Sequence, residues 1–203
     1  MFRAVGLRCA VDFSELSLPI SQDEALALLQ PLGFRVVVVD IVQSLRALIG
    51  VSEYCRGARL ANAPTVVDCS SLVKWVYAQR GIWLPRRSIQ QIECGMRTDL
   101  SDLVAGDVIF VTGRRNWYGT DPSQGVGHVG IATGTGTVIH AANRRLGVAE
   151  TTVTNFVDEV ALRGVRRYVS QSSSIVTLET PPDREVETSD DVRWIVLQLM
   201  HVK

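Results

Sequence analysis

Cys69 is the residue whose type and position best suit nucleophilic chemistry. Asp68, a favourable N-cap residue, directly precedes it, and apolar side chains recur behind it at helical spacing until Gly81. The pattern therefore predicts a helix whose first turn carries the thiol. Unpaired backbone N–H groups and the positive end of the helix dipole favour the thiolate there, which is the form that attacks a carbonyl carbon. Because a cysteine at a helix start is more often a small buried side chain, this interpretation needs a base elsewhere in the chain.

Two of the three histidines fall on one predicted β-hairpin and supply candidates for that base. If residues 134–136 form a three-residue loop, His140 faces Gly130 and lies diagonal to His128 on the same face of the sheet. A two-residue loop would place the two rings on opposite faces. Diagonal neighbours have Cβ atoms about 7 Å apart, so the two imidazoles can touch.

A division of labour follows from the chemistry of these groups. Near neutral pH, His128 can take the proton of Cys69, form an imidazolium–thiolate couple, and later protonate a leaving amine. His140 would orient His128 through its other ring nitrogen, and the N–H of Cys69 would help to bind an oxyanion. Gly130 and Ala132 lie on the predicted face of the histidines, and we expect their small side chains to leave room for the start of the cysteine helix.

The composition is that of a globular protein long enough to build a core, with 203 residues of which 46% are apolar. The 21 basic and 21 acidic residues balance, which argues against a nucleic-acid binder held by bulk charge. The distribution is uneven, because residues 40–169 contain fifteen Lys and Arg against eleven Asp and Glu, whereas residues 170–203 contain three against six. The centre of the chain is therefore mildly cationic and its end acidic.

The four cysteines, Cys9, Cys55, Cys69 and Cys94, form no CxxC pair and no zinc-ligand spacing. The sequence therefore predicts no metal site, no disulfide scaffold and no cofactor. Arg8 and Asp12 interrupt the apolar stretch at the N-terminus, and no stretch is long enough to span a membrane. We therefore expect a cytoplasmic protein without a membrane span.

The order of predicted elements is typical of the α+β class, with helices first and antiparallel strands second. Composition marks residues 180–191 as a linker, and residues 192–202 are compatible with either a helix or a strand. Helices are predicted from Ser21 to Pro31, from Asp40 to Gly50, from Asp68 to Gly81 and from Ser88 to Gly95, with strands at 35–39, 107–111, 128–133, 137–142, 147–152 and 165–169.

Five stretches in this order resemble the NlpC/P60 family of cysteine peptidases over about residues 40–168. They are DCSS with LVKWVY, LPRRS with Gln91 and Gly95, AGDVIF, GHVGIATG and VIHAAN. The resemblance implies a papain-like α+β core with helices packed on an antiparallel sheet. It also implies hydrolysis of peptide bonds in bacterial cell-wall stem peptides, often between D-glutamate and a diamino acid. On this basis we divide the chain into an N-terminal extension (1–39), a catalytic domain (40–170) and an acidic linker with a C-terminal tail (171–203).

The family's functional positions transfer to residues of this chain one at a time. Cys69 matches the nucleophile, His128 the base and His140 the third polar residue. Two departures affect the pocket rather than these three: Ser71 stands where the family usually has glycine, and YCRGA replaces the usual Y-x-Y-G-G segment. The positions that match substrate-pocket residues are Tyr54, Asp68 and Ser70.

Other functions are compatible with the same residues. The enzyme could be an amidase or acyl-transfer enzyme of the same fold, or the domain could be a peptide-binding module without catalysis. The expected partner is a peptidoglycan-derived peptide, and the sequence carries no signal for an oligomeric state. Release by lysis, a dedicated secretion system and work on imported muropeptides inside the cell are all open as ways for the protein to meet this peptide. Arg114, Arg115, Arg144 and Arg145 flank the hairpin and are either solvated surface charges or groups that attract carboxylates. The loop 113–127, with Trp117, is either a wall of the site or packed on the sheet.

Overall fold

The computed structural model describes residues 1–157, 161–170 and 175–201. None of the helices in these ranges is both long and apolar enough to cross a bilayer. The helices are α1 (Gln22–Leu29), α2 (Ile41–Arg46), α3 (Cys69–Gln79), α4 (Ser88–Gln91), α5 (Val153–Phe156) and α6 (Ser189–His201). The strands are β1 (Arg8–Asp12), β2 (Arg35–Val37), β3 (Glu53–Tyr54), β4 (Val66–Val67), β5 (Met96–Thr98), β6 (Val108–Val111), β7 (His128–Ala132), β8 (Thr137–Asn143), β9 (Gly147–Thr152), β10 (Leu162–Arg167) and β11 (Ile175–Glu179).

The chain forms two compact units. The larger unit comprises residues 40–76 and 84–168, and the smaller comprises residues 1–39, 77–83 and 169–203. The α+β class predicted from the sequence is confirmed, because helices combine with two antiparallel sheets.

A six-stranded antiparallel sheet organises the larger unit, with the strand order β5-β10-β6-β7-β8-β9. All four residues of β6 are buried, as expected for a central strand covered on both faces. One face carries an apolar cluster that includes Ile109, Val138 and Val165, and side chains of α5 pack against it. This sheet is the rigid support of the hairpin that holds both histidines.

The β7–β8 hairpin has the register that a three-residue loop predicts. Ile131 pairs with Ile139 and Ala132 with Val138, so the same alignment places His140 opposite Gly130. Gly134 and Gly136 both have φ near +80°, a conformation that favours glycine, and Thr133 N–H donates to Thr137 O at 3.0 Å to close the turn. The turn chemistry thus decides that the two histidines share a face.

Helix α3 starts where its cap predicts. Asp68 Oδ1 accepts from Ser71 N–H at 2.8 Å, and Ser71 Oγ accepts from the N–H of Asp68 at 2.8 Å. Leu72, Val73 and Val76 are buried at helical spacing. At α4, in contrast, the cap position belongs to Arg87, and Ser88 is the first helical residue rather than the cap.

The smaller unit has its own core around a three-stranded sheet of order β1-β11-β2. Helix α1 begins with the predicted Ser21 cap in a full capping box with Glu24. The ambiguous C-terminal stretch is helical in α6, where Val192 and Val196 are buried one turn apart. The segment predicted as a linker is irregular up to Thr188, and its last three residues already belong to α6. Some elements of the two units have no counterpart among the predicted elements, namely β3, β4, β5, β11 and α5.

Candidate active site

A cleft of about 720 Å³ in the larger unit brings together most of the predicted site residues. Cys69 and His128 line it from the start of α3 and the start of β7, and His140 is joined to it through His128. Among the described residues, no three His, Cys, Asp or Glu side chains are grouped so as to hold a metal ion. The predicted substrate-pocket residues Tyr54, Asp68 and Ser70 also line the cleft.

The Cys69 thiol lies where β7 and β8 have separated. The β7–β8 ladder covers the Ile131 and Ala132 pairs, and the backbone N–H of Val129, beyond the end of that ladder, lies near enough to Cys69 to favour its thiolate. Val129 directly follows His128 in the chain. The structure therefore brings the start of α3 to the same point of β7 that carries the imidazole.

The pKa of the Cys69 thiol is raised to about 11, chiefly by burial and to a smaller extent by the charge of Asp68. The backbone N–H groups of Ser70 and Val129 and the charge of Arg86 act in the opposite direction but contribute less. The expectation that the helix start lowers this pKa is therefore wrong, because the loss of solvation outweighs the N–H groups of the first turn. An isolated thiolate is unfavourable here, so its formation depends on a nearby proton acceptor.

The two imidazoles form one hydrogen-bonded pair. His128 Nε2 lies 2.7 Å from His140 Nδ1, and the ring centroids are 5.0 Å apart at an interplanar angle of 74°. Because one nitrogen of each ring is used in this bond, Nδ1 of His128 and Nε2 of His140 are the nitrogens left for other partners. The pairing predicted from the hairpin register is thus present.

Phe156 covers both imidazoles, and sequence reasoning missed it. Its ring centroid lies 4.9 Å from that of His140 and 5.5 Å from that of His128. A Cβ on Gly130 would come within 2.9 Å of the Phe156 ring and 2.5 Å of Val138, so the space beside Gly130 belongs to α5 and β8. The expectation that Gly130 and Ala132 make room for the start of α3 is wrong, since this face packs against α5 instead.

Burial lowers the pKa of both imidazoles to about 4, and the neighbouring charge of His140 adds to this for His128. Both rings are therefore neutral at neutral pH. Together with the raised pKa of the thiol, this means that the site at rest holds a neutral thiol and a neutral imidazole pair.

Lowering the pH is expected to destabilise the fold before the carboxylates titrate. The folded-state pKa of about 4 lies below the ordinary value of 6.5, so the unfolded chain binds more protons between these two values. The buried neutral imidazoles make their full contribution to the free energy of unfolding above pH 6.5. This contribution is lost as the pH drops toward 4, by on the order of 3 kcal/mol for one buried imidazole. Urea unfolding at pH 7, 6 and 5 measures this slope, and the His128→Gln/His140→Gln variant should flatten it. Equal slopes in both proteins would show that the histidines do not contribute.

Asp68 is the centre of a polar cluster that also includes Arg86, a residue of the LPRRS stretch. Arg86 donates to Asp68 Oδ1 at 3.1 Å and Oδ2 at 2.7 Å, to Ser70 Oγ at 2.9 Å and to Ala58 O at 2.6 Å. Asp68 Oδ2 also accepts from Gly57 N–H at 3.0 Å. The cluster thus joins the start of α3 to the segment after β3.

The hydrogen-bond partners of Asp68 keep its carboxylate ionised. Burial alone would raise its pKa, but hydrogen bonds from Arg86 and Ser71 and the Arg86 charge outweigh burial, so the pKa lies below its usual value. A carboxylate has about four acceptor sites, and Arg86, Ser70, Ser71 and Gly57 occupy them. Asp68 therefore shapes the wall of the cleft rather than offering an empty acceptor. The sequence feature that could have identified Arg86 as part of the site is its position within the LPRRS stretch.

The opposite wall of the cleft comes from the loop 113–127. Trp117 lines the cleft, is 50% exposed, and forms a backbone bridge with Val126. The Arg87 guanidinium lies 5.1 Å from the Trp117 ring centroid, in cation–π contact. Of the two interpretations of this loop, a wall of the site agrees with the structure.

Comparisons with known proteins place this site in a family. The family model described as "NlpC/P60 family" matches residues 53–167. Over 110 residues the chain is 40% identical to a probable endopeptidase of Corynebacterium glutamicum, covering 54% of this chain and 46% of that protein. Over 135 residues it is 30% identical to a gamma-DL-glutamyl hydrolase of Bacillus subtilis, covering 64% of this chain and 29% of that protein.

The fold agrees with the same family. An NlpC/P60 family protein from Bacillus cereus superposes with a TM-score of 0.55 at 23% identity, covering 67% of this chain and 42% of that one. The chain spans about half or less of the length of the curated relatives it matches here. Because the family model matches more than half of the residues of this chain, the chain belongs to the NlpC/P60 family.

Proposed function

We propose that this protein is a cysteine peptidase that hydrolyses an amide bond of peptidoglycan stem peptides, of the type that joins D-glutamate to a diamino acid. The observation that carries the proposal is the meeting of Cys69 and His128 in one cleft, with His128 held by His140 at 2.7 Å. The endopeptidase names of relatives in the NlpC/P60 family support a hydrolase.

The hydrogen bond between the imidazoles assigns their tautomers in this mechanism. For Nδ1 of His128 to accept a proton from the thiol, the proton of that ring must sit on Nε2 and be donated to Nδ1 of His140. His140 then carries its own proton on Nε2. His140 acts through His128 in this scheme and is a positioning residue, whereas His128 is the base.

Hydrolysis proceeds through a thioester. As the Cys69 proton moves to His128 Nδ1, the sulfur attacks the carbonyl carbon and the carbonyl oxygen becomes an oxyanion. The Cys69 N–H, which as a first-turn group has no acceptor within its helix, is available to bind that oxyanion. Collapse of the intermediate breaks the C–N bond, and His128 gives its proton to the leaving amine. Water, deprotonated by His128, then attacks the thioester carbon. The C–S bond breaks, the acid is released, and His128 returns the proton to the sulfur.

The raised thiol pKa and lowered imidazole pKa set the timing of the proton transfer. With a thiol pKa of about 11 and an imidazole pKa of about 4, the neutral pair predominates before substrate binds. The proton therefore moves together with attack on the carbonyl instead of before it. Phe156 packs against both rings and contributes to the burial that maintains this balance.

Tyr54 completes the substrate side of the cleft in this proposal. Burial raises the pKa of its hydroxyl, and the neighbouring charges of Cys69 and Asp68 raise it further, so the group stays protonated and able to donate a hydrogen bond. Ser70 and Asp68 are already bonded to Arg86, and their role is to keep the cleft wall in shape.

Incubation with defined muropeptides followed by mass spectrometry tests the proposal. We expect two products whose masses add up to that of the muropeptide plus one water, with a new amine on the diamino acid. Cleavage at a different amide would favour the amidase alternative, and transfer to an added amine would favour the acyl-transfer enzyme. Binding of the muropeptides without any product would favour the non-catalytic module and overturn the proposal.

A further inference from the structure

The cleft is lined by a concentration of positive charge that neither the catalytic scheme nor the composition accounts for. The chain as a whole has no net charge, yet its cleft contains six arginines and one carboxylate, Asp68. Because Arg86 binds Asp68 in a two-point ion pair, the other five arginines form the excess charge. We call these five the arginine rim: Arg56, Arg87, Arg114, Arg115 and Arg144.

The rim arginines lack carboxylate partners within the part of the chain that the structure describes. Elsewhere in the same unit, arginines such as Arg46 and Arg167 are paired with Glu150 and Asp107 at 3.1 and 2.7 Å. No such ion pair forms at the rim of the cleft, where the arginines are solvent-exposed. Their positive charge is therefore available to a ligand.

Four separate segments of the chain supply the rim. Arg56 follows β3, Arg87 precedes α4, Arg114 and Arg115 lie in the loop after β6, and Arg144 lies in the turn between β8 and β9. Charges of one sign that converge on a concave surface reinforce one another and raise the local concentration of oppositely charged ligands. Arg87 is further held by Trp117, which fixes one of the five guanidinium groups at the wall. The arginine rim differs from a stretch of consecutive exposed charges because its members come from distant positions in the chain and meet at one cleft.

The guanidinium group matches carboxylates by its geometry as well as by its charge, because its planar N–H groups can donate two parallel hydrogen bonds to one carboxylate. An amide bond through the γ-carboxyl of glutamate leaves the α-carboxylate of that residue free beside the scissile bond. A diamino acid on the amine side contributes further carboxylates. Amidation of these groups would remove the negative charge and leave the amide bond intact.

We infer that the arginine rim selects peptides with free carboxylates on the residues that flank the scissile bond, and discriminates against the amidated forms of the same peptides. The inference rests on the proposed function and specifies its substrate class. An acidic peptide is favoured over a nucleic acid, which is also anionic, because the cysteine–histidine site acts on amides and a phosphodiester backbone contains none.

Two synthetic peptides test the inference, one with free α-carboxylates around a γ-D-glutamyl–diamino acid bond and one with the same carboxylates converted to primary amides. We expect wild type to cut the acidic peptide with about tenfold higher kcat/KM, since several exposed charges each contribute a small factor. This preference should shrink between 0.05 and 0.5 M NaCl, because salt screens exposed charges over distances of about 10 Å or less.

Matched variants assign the preference to the rim. In Arg114→Gln/Arg144→Gln, the ratio of the two kcat/KM values should fall well below the wild-type value, because two of the five rim charges are removed. In Arg59→Gln/Arg145→Gln, which loses the same charge from two exposed arginines outside the cleft, the ratio should stay at the wild-type value. Arg145 is the direct chain neighbour of Arg144, so the comparison separates position from overall charge.

The outcomes distinguish the inference from the proposed function. If wild type cuts both peptides at equal rates, or if both double variants lose the preference equally, the arginine rim does not select carboxylates although the peptidase assignment stands. If wild type cuts neither peptide, the proposed function itself fails. Tighter binding of a single-stranded oligonucleotide than of the acidic peptide, with no peptide cleavage, would assign the rim to nucleic acid and overturn the inference.

Discussion

Replacing Cys69 with alanine is expected to abolish muropeptide cleavage, with kcat falling by about 10⁴-fold or more. The alanine variant has no atom that can form the thioester, so the two-step path through an acyl-enzyme is closed. The Cys69 side chain is only partly buried, and the cap that holds its helix comes from Asp68 and Ser71. We therefore expect the fold to persist, which thermal unfolding of the variant checks.

Two further cysteine variants control this result. Cys69→Ser keeps the shape of the side chain but replaces the sulfur with a poorer nucleophile, so its activity should be as low as that of the alanine variant. Cys55→Ala removes an exposed thiol near Tyr54 and should retain wild-type cleavage. If Cys69→Ala cuts the muropeptide at the wild-type rate, the mechanism proposed above is wrong.

The second large effect concerns the imidazole pair. His128→Ala is expected to lower kcat by about 10³-fold, because it removes the proton acceptor for the thiol and the proton donor for the leaving amine. His140→Ala should cost less, about 10²-fold, because His128 remains but its tautomer and orientation are no longer held by the 2.7 Å hydrogen bond. The double variant should be no slower than His128→Ala alone, since His140 acts through His128.

Alkylation of Cys69 by iodoacetamide gives a readout of this scheme that does not need the substrate. Because burial disfavours the free thiolate, Cys69 should react more slowly in His128→Ala than in wild type, with exposed Cys55 as an internal reference. His140→Ala should lie between them. Additive losses in the double variant, or alkylation of Cys69 that is unchanged without His128, would show that the pair does not act as one unit.

Local patterns in the sequence determined most of the elements that carry the site. The cap at Asp68 and the apolar spacing behind it located α3 and put Cys69 at its first residue, since capping and helical periodicity act over a few residues. The glycines at 134 and 136 indicated a turn between β7 and β8 but left its length open, and the three-residue turn of the structure is what puts His128 and His140 on one face. The motif resemblance supplied the family and the α+β class.

The tertiary structure decided what depends on residues that are distant in the chain. Phe156 occupies the space beside Gly130, and Arg86 binds Asp68 across 18 positions; a local pattern carries no information on either contact. The sign of the Cys69 pKa shift also follows from the fold, because burial by several segments outweighs the helix start that the sequence reveals. The arginine rim likewise becomes a single feature only when four segments converge on one cleft. Capping, helical periodicity and turn geometry depend on residues that are neighbours in the chain. The solvation and the charge of a site depend on every residue that the fold brings near it.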